Sequence, residues 1–203
     1  MRRITGSLDI GELTLTLYVG YLDAKSGLTG SLLCEGCDIR DRGKVTRTSF
    51  TKVIKFLHSH FDILAQCSEI LIEQQIKGKI IRAYKNIVLE QHIQGYIDTI
   101  NEIYRLEIAI VPMHPRLKYY HNDGPYGEKP AIRKSWSPLK AIELLISYGN
   151  KDEAAEWTEY IINLSKGDEV GDAITQLYAF YKAQGLVKSI SGIQWHTLLS
   201  IKI

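Results

Sequence analysis

Three short segments hold acidic side chains where isolated acids are unfavourable. Asp9 sits in Ser-Leu-Asp-Ile-Gly (7–11), at the end of an apolar, strand-like stretch. Glu73 closes the apolar run Ile70, Leu71, Ile72. Asp168, Glu169 and Asp172 open a helical stretch in Lys-Gly-Asp-Glu-Val-Gly-Asp-Ala (166–173). A buried, unpaired carboxylate is costly and needs a metal, a cation or water access. On a helix, both Asp168 and Glu169 share a face with Asp172 and repel it unless a cation lies between them. Taken singly, each segment also fits an ordinary role: a turn aspartate, a solvated strand end, an N-cap or first-turn acid favoured by the helix dipole. Taken together they gather hard oxygen donors of the kind Mg²⁺ and Mn²⁺ prefer. Two such ions about 3.5–4 Å apart can clamp the attacking and leaving oxygens of a phosphodiester.

These acids need a frame. Residues 4–10, 13–22 and 31–39 read as strands, with Leu13, Leu15 and Leu17 alternating with Thr14 and Thr16, which makes an antiparallel meander. Residues 49–65 carry Val53, Ile54, Leu57, Phe61 and Leu64 at helical spacing, with Thr48 or Ser49 as the expected N-cap. A strand at 69–73, a long helix at 79–101 and a strand at 107–111 follow. Residues 113–134, rich in proline, read as a long basic loop, and three helices are expected at 137–147, 152–164 and 168–184. The order βββ-α-β-α-β-helices predicts one mixed α/β sheet flanked by helices, in a single domain over 1–203. Gly11 is expected to let a phosphate backbone approach, and Gly171 and Ala173 to pack closely on the sheet.

Composition sets outer bounds. The 203 residues are 45% apolar and 24% charged with a net charge of +2, so any nucleic-acid surface must be a local patch. One such patch is Lys129, Arg133 and Lys134, read as backbone-phosphate contacts or, equally, as an ordinary charged loop. Three cysteines exclude a fully paired disulfide framework, and Cys34/Cys37 read as small strand or turn residues, or as a metal half-site completed by a second subunit. The histidines show no recurrent ligand spacing, and Trp136 and Trp157 read as core or interface anchors. No run reaches the roughly 18–20 apolar residues of a membrane span and the N-terminus is too short for a signal segment, so an intracellular protein with no membrane partner is expected.

The chain resembles RuvC-type Holliday junction resolvases of the ribonuclease H-like superfamily, particularly the poxvirus-type enzymes of large DNA viruses. The resemblance rests on Ser-Leu-Asp-Ile-Gly at 7–11, Ile-Leu-Ile-Glu-Gln-Gln at 70–75, Val-Pro-x-x-Pro-x-Leu-Lys at 111–118 and Lys-Gly-Asp-Glu-Val-Gly-Asp-Ala at 166–173, and it covers nearly the whole chain. It implies a ribonuclease H-like fold in which Asp9, Glu73, Glu169 and Asp172 match four metal-binding carboxylates and Asp168 matches an extra acid. It further implies that Lys118 lies near the scissile phosphate, where it can neutralise the developing charge; a solvated loop lysine is the ordinary alternative. The family usually has Lys-Asp-Asp where this chain has Gly167, Asp168 and Glu169, so either Asp168 or Glu169 can partner Asp172.

The expected activity is a Mg²⁺-dependent (or Mn²⁺-dependent) endonuclease, with two ions per site, that resolves four-way DNA junctions by paired nicks. For a two-fold symmetric substrate the resemblance implies a homodimer, with the helix at 79–101 as its seam, as in the family. The expected location is the site of DNA replication, the host cytoplasm for a poxvirus-like virus. Two alternatives stay open: a monomeric ribonuclease H-like nuclease for flaps or RNA–DNA hybrids, and a catalytically inactive nucleic-acid-binding module.

Overall fold

Strand β1 (Arg2–Ile10) runs antiparallel to β2 (Thr14–Asp23), which pairs antiparallel with β3 (Thr29–Asp38). β4 (Glu69–Glu73) lies parallel on the other side of β1, and β5 (Ala109–Met113) lies parallel to β4. The sheet order is β3-β2-β1-β4-β5, the mixed α/β sheet that the chain order predicts. The computed structural model describes residues 2–11, 14–41, 46–75, 81–149, 151–164 and 167–187. Leu13, Lys79, Ile80, Lys166 and His196, all used in reading the sequence, lie outside these. No helix among the described residues is long and apolar enough to cross a membrane.

Alternation along the strands divides the core into two. Leu8, Ile10, Leu15, Leu17, Val19, Ile70 and Ile72 point to one face, covered by α1 (Arg47–Ser59), α2 (Phe61–Leu64) and α3 (Ile81–Tyr104). Tyr18, Leu22, Leu71 and Met113 point to the other, covered by α5 (Pro130–Tyr148), α6 (Lys151–Asn163) and α7 (Gly167–Ala183). β4 is therefore buried on both faces, which is why it reads as an unbroken apolar run; each buried leucine or isoleucine stabilises by roughly 1.5–3 kcal/mol. The row of β1 facing α7 is polar: Thr5, Ser7 and Asp9 are all buried. Ser7 donates to the carbonyl of Ala173 in α7 at 2.7 Å, fixing helix to strand.

Several elements differ from the sequence reading. The expected helix over 49–65 is two, divided at His60, and its N-cap is Thr46: the Thr46 hydroxyl accepts from the Thr48 amide, and Ser49 answers from the third position. β5 lies two residues later than expected because Pro112 is tolerated in an edge strand, which needs no donor on its open side. The segment 113–134 is not all loop. It contains α4 (Arg116–Tyr120), and α5 begins at Pro130, whose fixed φ suits a first helical position. Gly171 packs against α5 and not the sheet: a Cβ there would stand 2.6 Å from the backbone of Ser137 and Pro138. Ala173 does meet the sheet, through its carbonyl. Cys34 and Cys37 point to opposite faces of β3, into different halves of the core, so they cannot share a metal within one chain.

Candidate active site

Parallel pairing sets the site's floor. The register runs Thr5↔Glu69 to Leu8↔Ile72, so the next step brings Asp9 beside Glu73 at the C-terminal ends of two neighbouring strands. Both follow the side-chain parity of Ser7 and Leu71, toward α7. Open α/β sheets characteristically hold ligands outside such strand ends.

Lys118 reaches this floor from α4. Its Nζ lies 2.8 Å from Glu73 Oε2 and 3.0 Å from Asp172 Oδ2, and its side chain is only 5% exposed. Asn122, completely buried, holds the segment after α4 to α7 by donating to the Thr175 carbonyl at 2.8 Å. Asp172 stands one turn into α7, and its Oδ1 accepts from the Ser137 hydroxyl of α5 at 2.5 Å. Glu169, three residues earlier, accepts from Thr14 of β2 at 2.7 Å. Asp168 points elsewhere, with its carboxylate 3.1 Å from the exposed Lys134 ammonium.

The electrostatics follow from this crowding. Burial, reinforced by the charges of Glu73, Asp172 and Glu169, holds the Asp9 carboxyl well above the usual carboxylate range, and Lys118 only partly offsets them. Burial alone would lower the Lys118 ammonium, but Glu73, Asp172 and Asp9 outweigh it and keep the lysine charged. Hydrogen bonding to Asp168 likewise raises Lys134. Three carboxylates, Asp9, Glu73 and Asp172, thus act on one buried cation, and Glu169 adds its charge at Asp9. Among the described residues no three His, Cys, Asp or Glu side chains form a ready-made metal cage, and the Lys118 ammonium bridges Glu73 and Asp172. The donor set still fits a hard divalent ion: it is all oxygen, and its negative charge exceeds what one lysine neutralises.

A cleft of about 230 Å³ opens above the lysine, lined by Glu73, Lys118, Tyr119, Arg133, Lys134 and Asp172 among others. The Arg133 Nε–H in its wall is buried and has no hydrogen-bond partner among the described residues. Of the basic group expected to contact phosphate, Arg133 and Lys134 line this cleft; Lys129 is exposed at the start of α5 and does not. Gly11 is crowded by protein: a Cβ there would lie 2.6 Å from the Thr14 hydroxyl and 3.6 Å from Glu169 Oε1. Sequence reasoning missed Ser137 and Thr14, whose hydrogen bonds join distant segments and leave no local pattern. His58 and His60 have separate partners, Tyr96 and Glu35, and do not converge. Trp136 is buried and Trp157 half-buried against the core, as anchors.

No family model matches the sequence, and no curated protein matches it. Solved structures do resemble the fold. The fowlpox virus Holliday junction resolvase overlaps 89% of this chain and 99% of its own, with TM-score 0.57 and 14% identity. The yeast mitochondrial Holliday junction resolvase overlaps 90% of this chain and 79% of its own, with TM-score 0.58 and 12% identity. Thermus thermophilus RuvC overlaps 92% and 99%, with TM-score 0.50 and 15% identity. This chain therefore has the ribonuclease H-like fold in the form found in the Holliday junction resolvases of fowlpox virus and yeast mitochondria.

Proposed function

We propose that this protein is a structure-selective endonuclease that resolves four-way DNA junctions by paired, divalent-metal-dependent hydrolysis of phosphodiesters. The observation that carries the reading is the meeting of Asp9, Glu73 and Asp172 around Lys118 at the C-terminal edge of the parallel strands. The fold adds support, since a fowlpox resolvase of the same architecture is solved with its substrate Holliday junction DNA.

In this reading Asp9, Glu73 and Asp172 hold Mg²⁺ or Mn²⁺, with Glu169 rather than Asp168 as the fourth acid. Glu169 acts on Asp9 electrostatically, whereas Asp168 is paired with Lys134. Two such ions, held by these acids, would supply an activated water and charge neutralisation at the leaving 3′ oxygen. Lys118 stays protonated and neutralises the non-bridging oxygens of the scissile phosphate. Arg133, with its unpartnered Nε–H, and Lys134 hold the flanking backbone by charge and shape, without reading bases. Lys129 can add a more distant phosphate contact. One site cuts one strand, so two-fold junctions call for a homodimer. We place its seam along α3, which leaves Ile103 and Tyr104 exposed near its end.

The test compares wild type with Asp172→Asn on a labelled, immobile four-way junction in Mg²⁺. Symmetric nicks by wild type, lost in the variant, are expected. Equal nicking by both proteins removes the site, and cleavage of RNA–DNA hybrids by a sedimenting monomer that spares junctions removes the substrate.

A further inference from the structure

Asp172 has two carboxylate oxygens, and they have different partners. Oδ2 faces Lys118 Nζ at 3.0 Å, while Oδ1 accepts the Ser137 hydroxyl at 2.5 Å. Helical hydroxyls usually return their proton to a carbonyl in their own preceding turn. Ser135, Thr99 and Thr158 do so here, donating to Ile132, Gly95 and Ala154. Ser137 instead crosses from α5 to α7. Ser137 is 1% exposed, and its backbone lies directly against Gly171 of α7, where an added Cβ would stand 2.6 Å from it. A hydroxyl proton given to a carboxylate favours its charged form and fixes its rotation.

We infer that Ser137 is a positioning residue for the nuclease reaction proposed above: it clamps Asp172 Oδ1 so that Oδ2 stays turned toward Lys118, as the oxygen that would be offered to a divalent metal. Such a residue never touches substrate. It acts by holding a ligand ready, and removing partners of this kind characteristically weakens metal affinity and turnover together. The inference rests on the nuclease reading, but it can fail separately.

The experiment titrates Mn²⁺ calorimetrically into wild type, Ser137→Ala, Ser137→Thr and Ser137→Val, and measures kcat and KM on a four-way junction. Ser137→Ala is expected to weaken Mn²⁺ binding about 10–100-fold and to lower kcat by a similar factor. KM for the junction should stay within about twofold, since the DNA-contacting groups are unchanged. Threonine and valine match in shape and differ in the hydroxyl, so Ser137→Thr should bind Mn²⁺ more tightly than Ser137→Val. If neither folds at this crowded crossing, Ser137→Ala, which only removes an atom, decides alone. Wild-type Mn²⁺ affinity in Ser137→Ala, or equal loss in the folded Thr and Val variants, overturns the inference. A wild-type protein that neither binds Mn²⁺ nor nicks the junction overturns the function itself.

Discussion

Lys118 Nζ lies 2.8 Å from Glu73 Oε2, so one buried ammonium ties α4 to the end of β4 and, through Asp172, to α7. Removing it strands carboxylates that were folded around a cation. Loss of one partner from a buried pair costs roughly 3–5 kcal/mol, and less here because Glu73 and Asp172 keep 17% and 27% exposure. Lys118→Met should therefore lose about 2–3 kcal/mol in chelator-containing buffer, measured by urea unfolding. Millimolar Mg²⁺ should recover more stability in the variant than in wild type. An unchanged midpoint in chelator would show that the lysine is not what balances these charges.

Asp9 predicts an inverse relation between stability and activity. Its carboxyl is raised by burial first and by neighbouring acids second, so over a window above the ordinary value the folded chain holds a proton that the unfolded chain releases. Stability conferred by that proton is present at low pH and is lost as pH rises through the raised value. Asp9→Asn removes the penalty. Without divalent ions it should melt a few degrees higher than wild type at about pH 8, with the gain shrinking toward about pH 4, while nicking disappears. A variant that melts lower than wild type at neutral pH would contradict this account.

What the sequence makes legible depends on how local the cause is. Glu73 is readable because Ile70, Leu71 and Ile72 before it suit a strand buried on both faces. Asp9 is readable as the end of β1 for a similar reason. The role of Lys118 is legible only through the family resemblance and not from local pattern, because α4 is five residues set among prolines, and Asn122 ties the segment after it to α7. Ser137 is less visible still: its partner is 35 residues away, and only the close crossing at Gly171 brings them together.

That crossing makes a testable demand. A methyl group on Gly171 would meet the backbone of Ser137 and Pro138 at 2.6 Å, and backbone cannot rotate aside as a flexible side chain would. Gly171→Ala should cost about 1–3 kcal/mol, read from thermal melts. It should also separate Ser137 from Asp172, so junction nicking should fall even at temperatures where the variant is fully folded. Wild-type nicking in the folded variant would mean that the helices can part without disturbing the site.

The two acids that the sequence leaves interchangeable are separated by their partners. Asp168 forms an ion pair with Lys134, whose side chain is 71% exposed, and solvent-exposed pairs contribute roughly 0–1 kcal/mol. Glu169 is held by Thr14 and contributes to the charge around Asp9. Asp168→Asn should therefore change stability little and keep Mg²⁺-dependent nicking within a few-fold of wild type. Glu169→Gln keeps the shape and loses the charge, and should lower nicking about 10–100-fold with weaker Mn²⁺ binding. Thr14→Val should follow Glu169→Gln in direction with a smaller effect, because it removes the group that orients the carboxylate but not the carboxylate itself. The reverse ranking, with Asp168→Asn the damaging change, would require α7 to turn on binding metal so that Asp168 leaves Lys134 and replaces Glu169 beside Asp9.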